Sequence, residues 1–188
     1  MNIICITGKS GSGKTYLSSM LASNLICNVI DIDKIAHEVL TYENIKQEIL
    51  NIFGTEVFNG QTVDRKKLGA IVFNNLSKLK VLEDLTQKQM EEIIDLKLAT
   101  AETNYVILEY SLLPKMKYFN SSSYNILVEA SNDVRQNRIL KRDNITKEYF
   151  ESRDSKSLDY SLYNFDLVVN NSNNFNIDQI IEKIKSKK

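Results

Sequence analysis

Residues Gly8-Lys9-Ser10-Gly11-Ser12-Gly13-Lys14-Thr15 form a G-x-x-x-x-G-K-[ST] run. The chemistry open to such a run is the holding of a polyphosphate. Glycines at Gly8, Gly11 and Gly13 let the backbone curl until successive N–H groups point inward at phosphate oxygens. A helix that begins there adds the positive end of its dipole. Lys14 would reach the β- and γ-phosphates, and the Thr15 hydroxyl would ligate Mg²⁺. The plain alternative is a glycine-rich turn that only matches the pattern, and the flanking residues decide between the two. Residues 2–7 are a short apolar run of the kind a buried parallel strand needs. Leu17, Met20, Leu21 and Leu25 then follow at helical spacing. Strand, glycine loop and helix come in the required order, which implies nucleotide binding.

Other candidates lie where strands should end. Asp31-Ile32-Asp33 closes the second apolar run. In an open parallel sheet, ligands bind beyond the carboxyl ends of the strands, which would bring Asp33 near the phosphate loop. There it could orient an acceptor hydroxyl and take its proton. Asp31 or Asp33 could instead open a helix as its N-cap, an even choice for Asp31, whereas for Asp33 the reading favours the role at the acceptor. His37, the one histidine, follows Asp33 by four residues and shares its helical face. It could touch substrate or be a polar surface residue. Glu109 ends the third apolar run, where a carboxylate could hold a Mg²⁺-bound water or simply face solvent. Arg135, Arg138 and Arg142 fall on one helical face. Arginine forks suit a transferring phosphoryl group, and the reading favours catalysis for Arg138 and Arg142 over Arg135. A solvated face with Asp133 and Asp143 is the alternative. Asp64-Arg65 follows an Asn59-Gly60 turn, so Arg65 could bind an acceptor phosphate or belong to a helix cap.

The elements that must position these residues alternate. Strands are expected at 2–7, 27–31, 105–109, 124–129 and 166–169, with helical patterns between them. That order predicts an α/β fold with a parallel five-stranded sheet and crossover helices. About seventy residues separate strands two and three, where one crossover needs only about a dozen. The intervening stretch reads as helices at 34–41, 43–53, 65–75 and 76–101. It is expected to be a helical, acceptor-binding insertion over about 34–104 within a single domain spanning 1–188. A second excursion, 131–157, would be a lid. Polar residues 170–176 precede a last amphipathic helix at 177–185, and the lysines of residues 183–188 suit its carboxyl end.

Composition narrows the class. The 188 residues are 43% hydrophobic and 26% charged, with 24 basic and 24 acidic side chains and no formal net charge. Broad electrostatic binding to nucleic acid or to a membrane surface is therefore not expected. Two cysteines make no disulfide framework and have no companions at metal-ligand spacing. Cys5 reads as a buried thiol. No apolar stretch is long enough to span a bilayer, and the chain enters its first strand without a signal peptide, so a cytoplasmic location is expected. Nothing in the sequence fixes an oligomeric state.

In series the pieces resemble the dephospho-coenzyme A kinases. The likeness rests on residues 7–15, on Val29-Ile30-Asp31-Ile32-Asp33-Lys34-Ile35-Ala36, and on Val63-Asp64-Arg65 with Leu68 and Val72-Phe73. It continues through Leu112-Leu113, Arg138, Arg142-Asp143 and Asp166-Leu167-Val168-Val169-Asn170-Asn171. The resemblance implies a phosphate-loop nucleotide-kinase-like fold with a helical substrate domain and a lid. It implies transfer of the γ-phosphate of ATP to the ribose 3′-hydroxyl of dephospho-coenzyme A, with Mg²⁺ accompanying the ATP. Residues 11–16, Tyr16 included, match the stretch that wraps the ATP phosphates. Asp33 matches the acidic residue at the acceptor hydroxyl, and Arg138 and Arg142 match lid positions. The chain carries His37 where the family usually has Arg, Gln87-Lys88 where it has His-Pro, and Glu109 where its third strand ends in Asp. Another small-molecule or nucleoside monophosphate kinase on the same core, or a degenerate nucleotide-binding protein, remains open at this level.

Overall fold

A computed structural model describes residues 1–187. Lys188, the end of the basic run, lies outside the described residues. The chain runs through β1 (Asn2–Thr7), α1 (Lys14–Leu25), β2 (Asn28–Asp31), α2 (Ile32–Val39), α3 (Glu43–Phe53), β3 (Phe58–Asn59), β4 (Thr62–Val63), α4 (Arg65–Val72) and α5 (Leu76–Ala99). It continues with β5 (Tyr105–Glu109), α6 (Lys117–Ser121), β6 (Tyr124–Glu129), α7 (Asn132–Asp143), α8 (Lys147–Asp154), β7 (Leu167–Asn170) and α9 (Ile177–Ser186). Two units result: residues 1–31 with 101–188, and residues 32–100. The division falls at Ile32 and Thr100, not at 34 and 104. Residues 101–104 go with the sheet, where the Asn104 carbonyl accepts from the Asn2 amide at 2.8 Å.

The first unit is built on a five-stranded parallel sheet in the order β2-β5-β1-β6-β7. The central strand β1 is buried on both faces, which is why it reads as an unbroken apolar run. Ile4 and Ile6 face one way, against Leu17 and Leu21 of α1 and Ile180 and Ile184 of α9. Cys5 faces the other way, with its thiol toward the Tyr118 carbonyl of α6. Each fully buried aliphatic side chain here contributes on the order of 1.5–3 kcal/mol. Strand β7 begins one residue later than expected. Asp166, just before it, meets Asn125 twice: its amide donates to the Asn125 carbonyl at 2.9 Å and its carboxylate accepts from the Asn125 amide at 2.7 Å.

The second unit is mainly helical. Ile35 and Val39 of α2, Ile45 and Ile49 of α3, Leu68 and Val72 of α4, and Met90 and Ile94 of α5 are its buried stripes. Helix α2 starts at Ile32, two residues before the expected position, and α4 ends at Val72, three residues before it. Asn75 then caps α5 by accepting from the Lys78 amide. Between α3 and α4 lies a small antiparallel hairpin whose central residues are Gly60 and Gln61, one position beyond the expected Asn-Gly turn. Gly60 supplies the φ of 62° that the first central position needs. Among the described residues no helix is long and apolar enough to cross a membrane.

Candidate active site

The loop between β1 and α1 takes the form the glycine pattern implies. Gly8, Gly11 and Gly13 have φ of 148°, 77° and 98°. A side chain at Gly8 would strike the Val128 carbonyl oxygen at 2.2 Å, and one at Gly13 would strike Asn171 Nδ2 at 1.9 Å. Positive φ and close approach together leave glycine as the fitting residue at both positions. Gly13 is the residue before the first turn of α1, so the amino end of that helix opens directly on the loop.

Lys14 is 9% exposed, and its Nζ donates to the Gly8 carbonyl at 3.1 Å. The side chain therefore arches back across the loop that precedes it. The Thr15 hydroxyl donates to Glu109 Oε1 at 2.5 Å. Glu109 is 4% exposed and stands beside Ile6 and Asp31 in the strand register, so it does not face solvent. Ser12 is buried, and Tyr16 is exposed with its ring edge-on to Phe175 at 5.9 Å.

The helical arginines divide by turn. Arg135 is buried and grips Asp154 of α8 through two bonds of 2.6 and 2.8 Å, with two more to Asn132 Oδ1 at 2.9 Å and the Ser10 carbonyl at 3.3 Å. Lys9 stands 3.6 Å from the same carboxylate. The Arg135 bonds, with Lys9 adding charge, hold the Asp154 carboxyl below the usual carboxylate range. Arg138 donates to the carbonyls of Gly11, Ser12 and Asn171 at 3.2, 3.3 and 2.9 Å. Arg142 lies on the exposed side, forked onto Asp143, whose carboxyl it holds below the ordinary range. Two of the three arginines thus hold loop carbonyls, an arrangement that helical spacing alone did not reveal. In the sequence, Asn171 is only the last residue of the run 166–171. It is 6% exposed and donates to the Ser12 carbonyl at 2.8 Å.

Asp33, His37 and Arg65 belong to the second unit. Asp33 is exposed in the first turn of α2, so Asp31 holds the preceding position instead. His37 is exposed one turn later on the same face. Arg65 is the first residue of α4, exposed, while Asp64 caps the helix by accepting from the amides of Lys66 and Lys67. Gln87 and Lys88 are exposed on α5, with Gln87 bonded to Glu91 at 2.8 Å. Among the described residues no group of three His, Cys, Asp or Glu side chains could hold a metal ion.

The family profile described as dephospho-CoA kinase matches residues 2–176. The dephospho-CoA kinase of Fusobacterium nucleatum is 30% identical over 188 residues, which cover 97% of this chain and 95% of that one. That of Aquifex aeolicus is 30% identical over 190 residues, covering 98% and 95%. Among solved structures, a Thermus thermophilus protein matches with a TM-score of 0.78 at 26% identity, covering 98% of this chain and 92% of its own. The dephospho-CoA kinase from Campylobacter jejuni matches at 0.61 and 24% identity, covering 97% and 96%, a likeness of fold. With the profile spanning sheet, loop and helical unit alike, the chain belongs to the dephospho-CoA kinase family.

Proposed function

We propose that this chain transfers the γ-phosphoryl group of ATP to the ribose 3′-hydroxyl of dephospho-CoA, giving CoA and ADP, the last step of CoA synthesis. The observation that carries this reading is that the family match runs through the helical unit, residues 32–100, as well as the phosphate loop. The loop alone is shared by kinases with many acceptors.

The proposed roles follow from chemistry. The amides of Gly11 and of residues 13–16 and the Lys14 ammonium bind the ATP phosphates, while the Ser12 amide holds the loop turn on the Lys9 carbonyl; Lys14 neutralises charge as it spreads over the transferring group. Asp33 takes the proton of the acceptor hydroxyl. That oxygen bonds to the γ-phosphorus, the bond from phosphorus to the bridging oxygen breaks, and ADP leaves with the electron pair. His37 and Arg65 are proposed to contact the acceptor, and Arg142 to contact phosphate once free of Asp143. Arg138 is proposed to act on the loop, whose carbonyls hold its fork.

Mg²⁺ fits the oxygen donors present: the Thr15 hydroxyl would ligate it, and the buried Glu109 carboxylate, 2.5 Å from that hydroxyl, would hold its water. Bound there, it would neutralise phosphate charge. The proposed location is the cytoplasm, where ATP is at hand.

The test is an acceptor panel with ATP and Mg²⁺, read by mass spectrometry. Dephospho-CoA should be phosphorylated, on the 3′-oxygen, while adenosine, AMP, UMP and CMP should be poor acceptors. Rapid phosphorylation of a nucleoside monophosphate with none of dephospho-CoA would replace this reading with another kinase on the same core.

A further inference from the structure

A trans peptide is planar, with its C=O and N–H pointing in opposite directions. Wherever the phosphate loop turns an N–H inward, the carbonyl of the same peptide must point outward and find a donor. Three consecutive loop carbonyls meet side chains: Ser10 through Arg135, Gly11 through Arg138, and Ser12 through Arg138 and Asn171. In the middle peptide the Ser12 N–H closes a turn onto the Lys9 carbonyl at 3.1 Å, so the amides left for phosphate beside it are those of Gly11 and Gly13. The bond from Asn171 is the shortest of these, at 2.8 Å, and the one that is fully buried. Asn171 is itself fixed by its main chain. Its amide donates to the Glu129 carbonyl at 2.7 Å, and its carbonyl accepts from Arg138 at 2.9 Å. Its carboxamide fills the space that a side chain on Gly13 would need.

We propose that Asn171 is a positioning residue of the phosphate loop, holding the Ser12 carbonyl outward so that the Gly13 N–H faces the phosphates before nucleotide arrives. The proposal rests on the reading that this loop binds ATP phosphates, and is independent of which acceptor is used. It makes the end of β7, 159 residues from Ser12 in sequence, part of the nucleotide machinery.

The test is the affinity of the full chain for ADP, measured by calorimetry, together with thermal midpoints. Asn171→Asp removes the donor and sets a carboxylate against the Ser12 carbonyl. Asn171→Ala removes the donor alone. ADP affinity should fall about ten- to a hundredfold, the scale of a buried polar group left unpaired. KM for ATP should rise by a similar factor, with kcat changed far less, as for a group that acts on binding. Asn170→Ala is the control. It breaks the turn in which Asn170 accepts from the Ser172 amide, but it does not touch Ser12. It should leave ADP affinity within about twofold of the parent. Unchanged ADP affinity in either folded Asn171 variant would overturn the proposal. So would an equal loss in Asn170→Ala, which would mark general weakening of the loop after β7. If Asn171→Asp does not fold, Asn171→Ala decides. Should the parent chain fail to bind ADP at all, the phosphate-loop reading falls and this proposal with it. Should it bind ADP but ignore dephospho-CoA, only the acceptor assignment falls.

Discussion

Asp33 and Lys14 are proposed to act on different partners in the transfer, one on the acceptor proton and one on the phosphates. Their surroundings make the two roles separable. Asp33 is exposed, so Asp33→Asn removes a base without opening the core. Turnover should fall by about a hundredfold or more while ATP affinity stays near that of the parent. Lys14 is 9% exposed, but its ammonium bonds a loop carbonyl, not a core group, so Lys14→Ala should also fold. It should lose ATP affinity and turnover together. Single-turnover kinetics with direct ATP binding would distinguish the two patterns. An Asp33→Asn variant that loses both in equal measure would point to a structural or metal-related role for that carboxylate. Both residues are candidates in the sequence because each belongs to a local pattern, the loop run and the V-I-D-x-D run. Asn171 carried no such signal toward the loop, since its partner is 159 residues away and no periodicity links them.

At the scale of elements, the sheet's three inner strands were the most legible part, because a strand buried on both faces is a short apolar run bounded by polar residues, while the two-residue strands β3 and β4 were too short to leave a pattern. Ends were less so. Asp166 precedes β7 and meets Asn125 through both its amide and its carboxylate, and α4 stops at Val72, three residues before the cap that Asn75 gives to α5. The spacing of Arg135, Arg138 and Arg142 identified a shared face of α7, but not that the first two hold the phosphate loop while the third pairs with Asp143. The first of these contacts ties α7 to α8 through Asp154, with the Arg135 guanidinium over the Phe150 ring at 5.7 Å. It makes a prediction about acid. The folded-state carboxyl is held below its ordinary value, so its stabilisation is full above the ordinary carboxylate range and is lost as pH falls through the lowered value. Asp154→Asn should cost about 1.5–3 kcal/mol near neutral pH, because the charge-assisted bonds to Arg135 weaken while Asn132 and the Ser10 carbonyl still hold the guanidinium. The difference between parent and variant should shrink as pH drops below the ordinary carboxylate range. Urea midpoints between pH 7 and pH 3 would measure it, and a difference that stays constant across that range would show that the pair contributes no charge effect.

The whole molecule divides into a sheet unit, residues 1–31 with 101–188, and a helical unit, residues 32–100, that interrupts it in the chain. Cys5 gives a probe of the first unit alone. It has no exposed surface, lies in the central strand, and burial pushes its thiol up to about 12. A thiol reagent near neutral pH needs the thiolate and needs access, and the native fold denies both. Cys27, partly exposed, should therefore be labelled first, and Cys5 only through opening of the sheet. Where opening and closing are fast relative to labelling, the Cys5 rate follows the population of the open form. Nucleotide bound to the folded loop lowers that population by mass action. ADP at about a hundred times its Kd should slow Cys5 labelling by about a hundredfold and leave Cys27 nearly unchanged. Mass spectrometry of the two cysteine-containing peptides would read both rates in one experiment. If ADP binds and Cys5 is labelled at an unaltered rate, then β1 opens without releasing the phosphate loop at its carboxyl end. The strand and the loop that it positions would in that case not be one cooperative unit, contrary to what the shared core of Ile4, Ile6, Leu17 and Leu21 predicts.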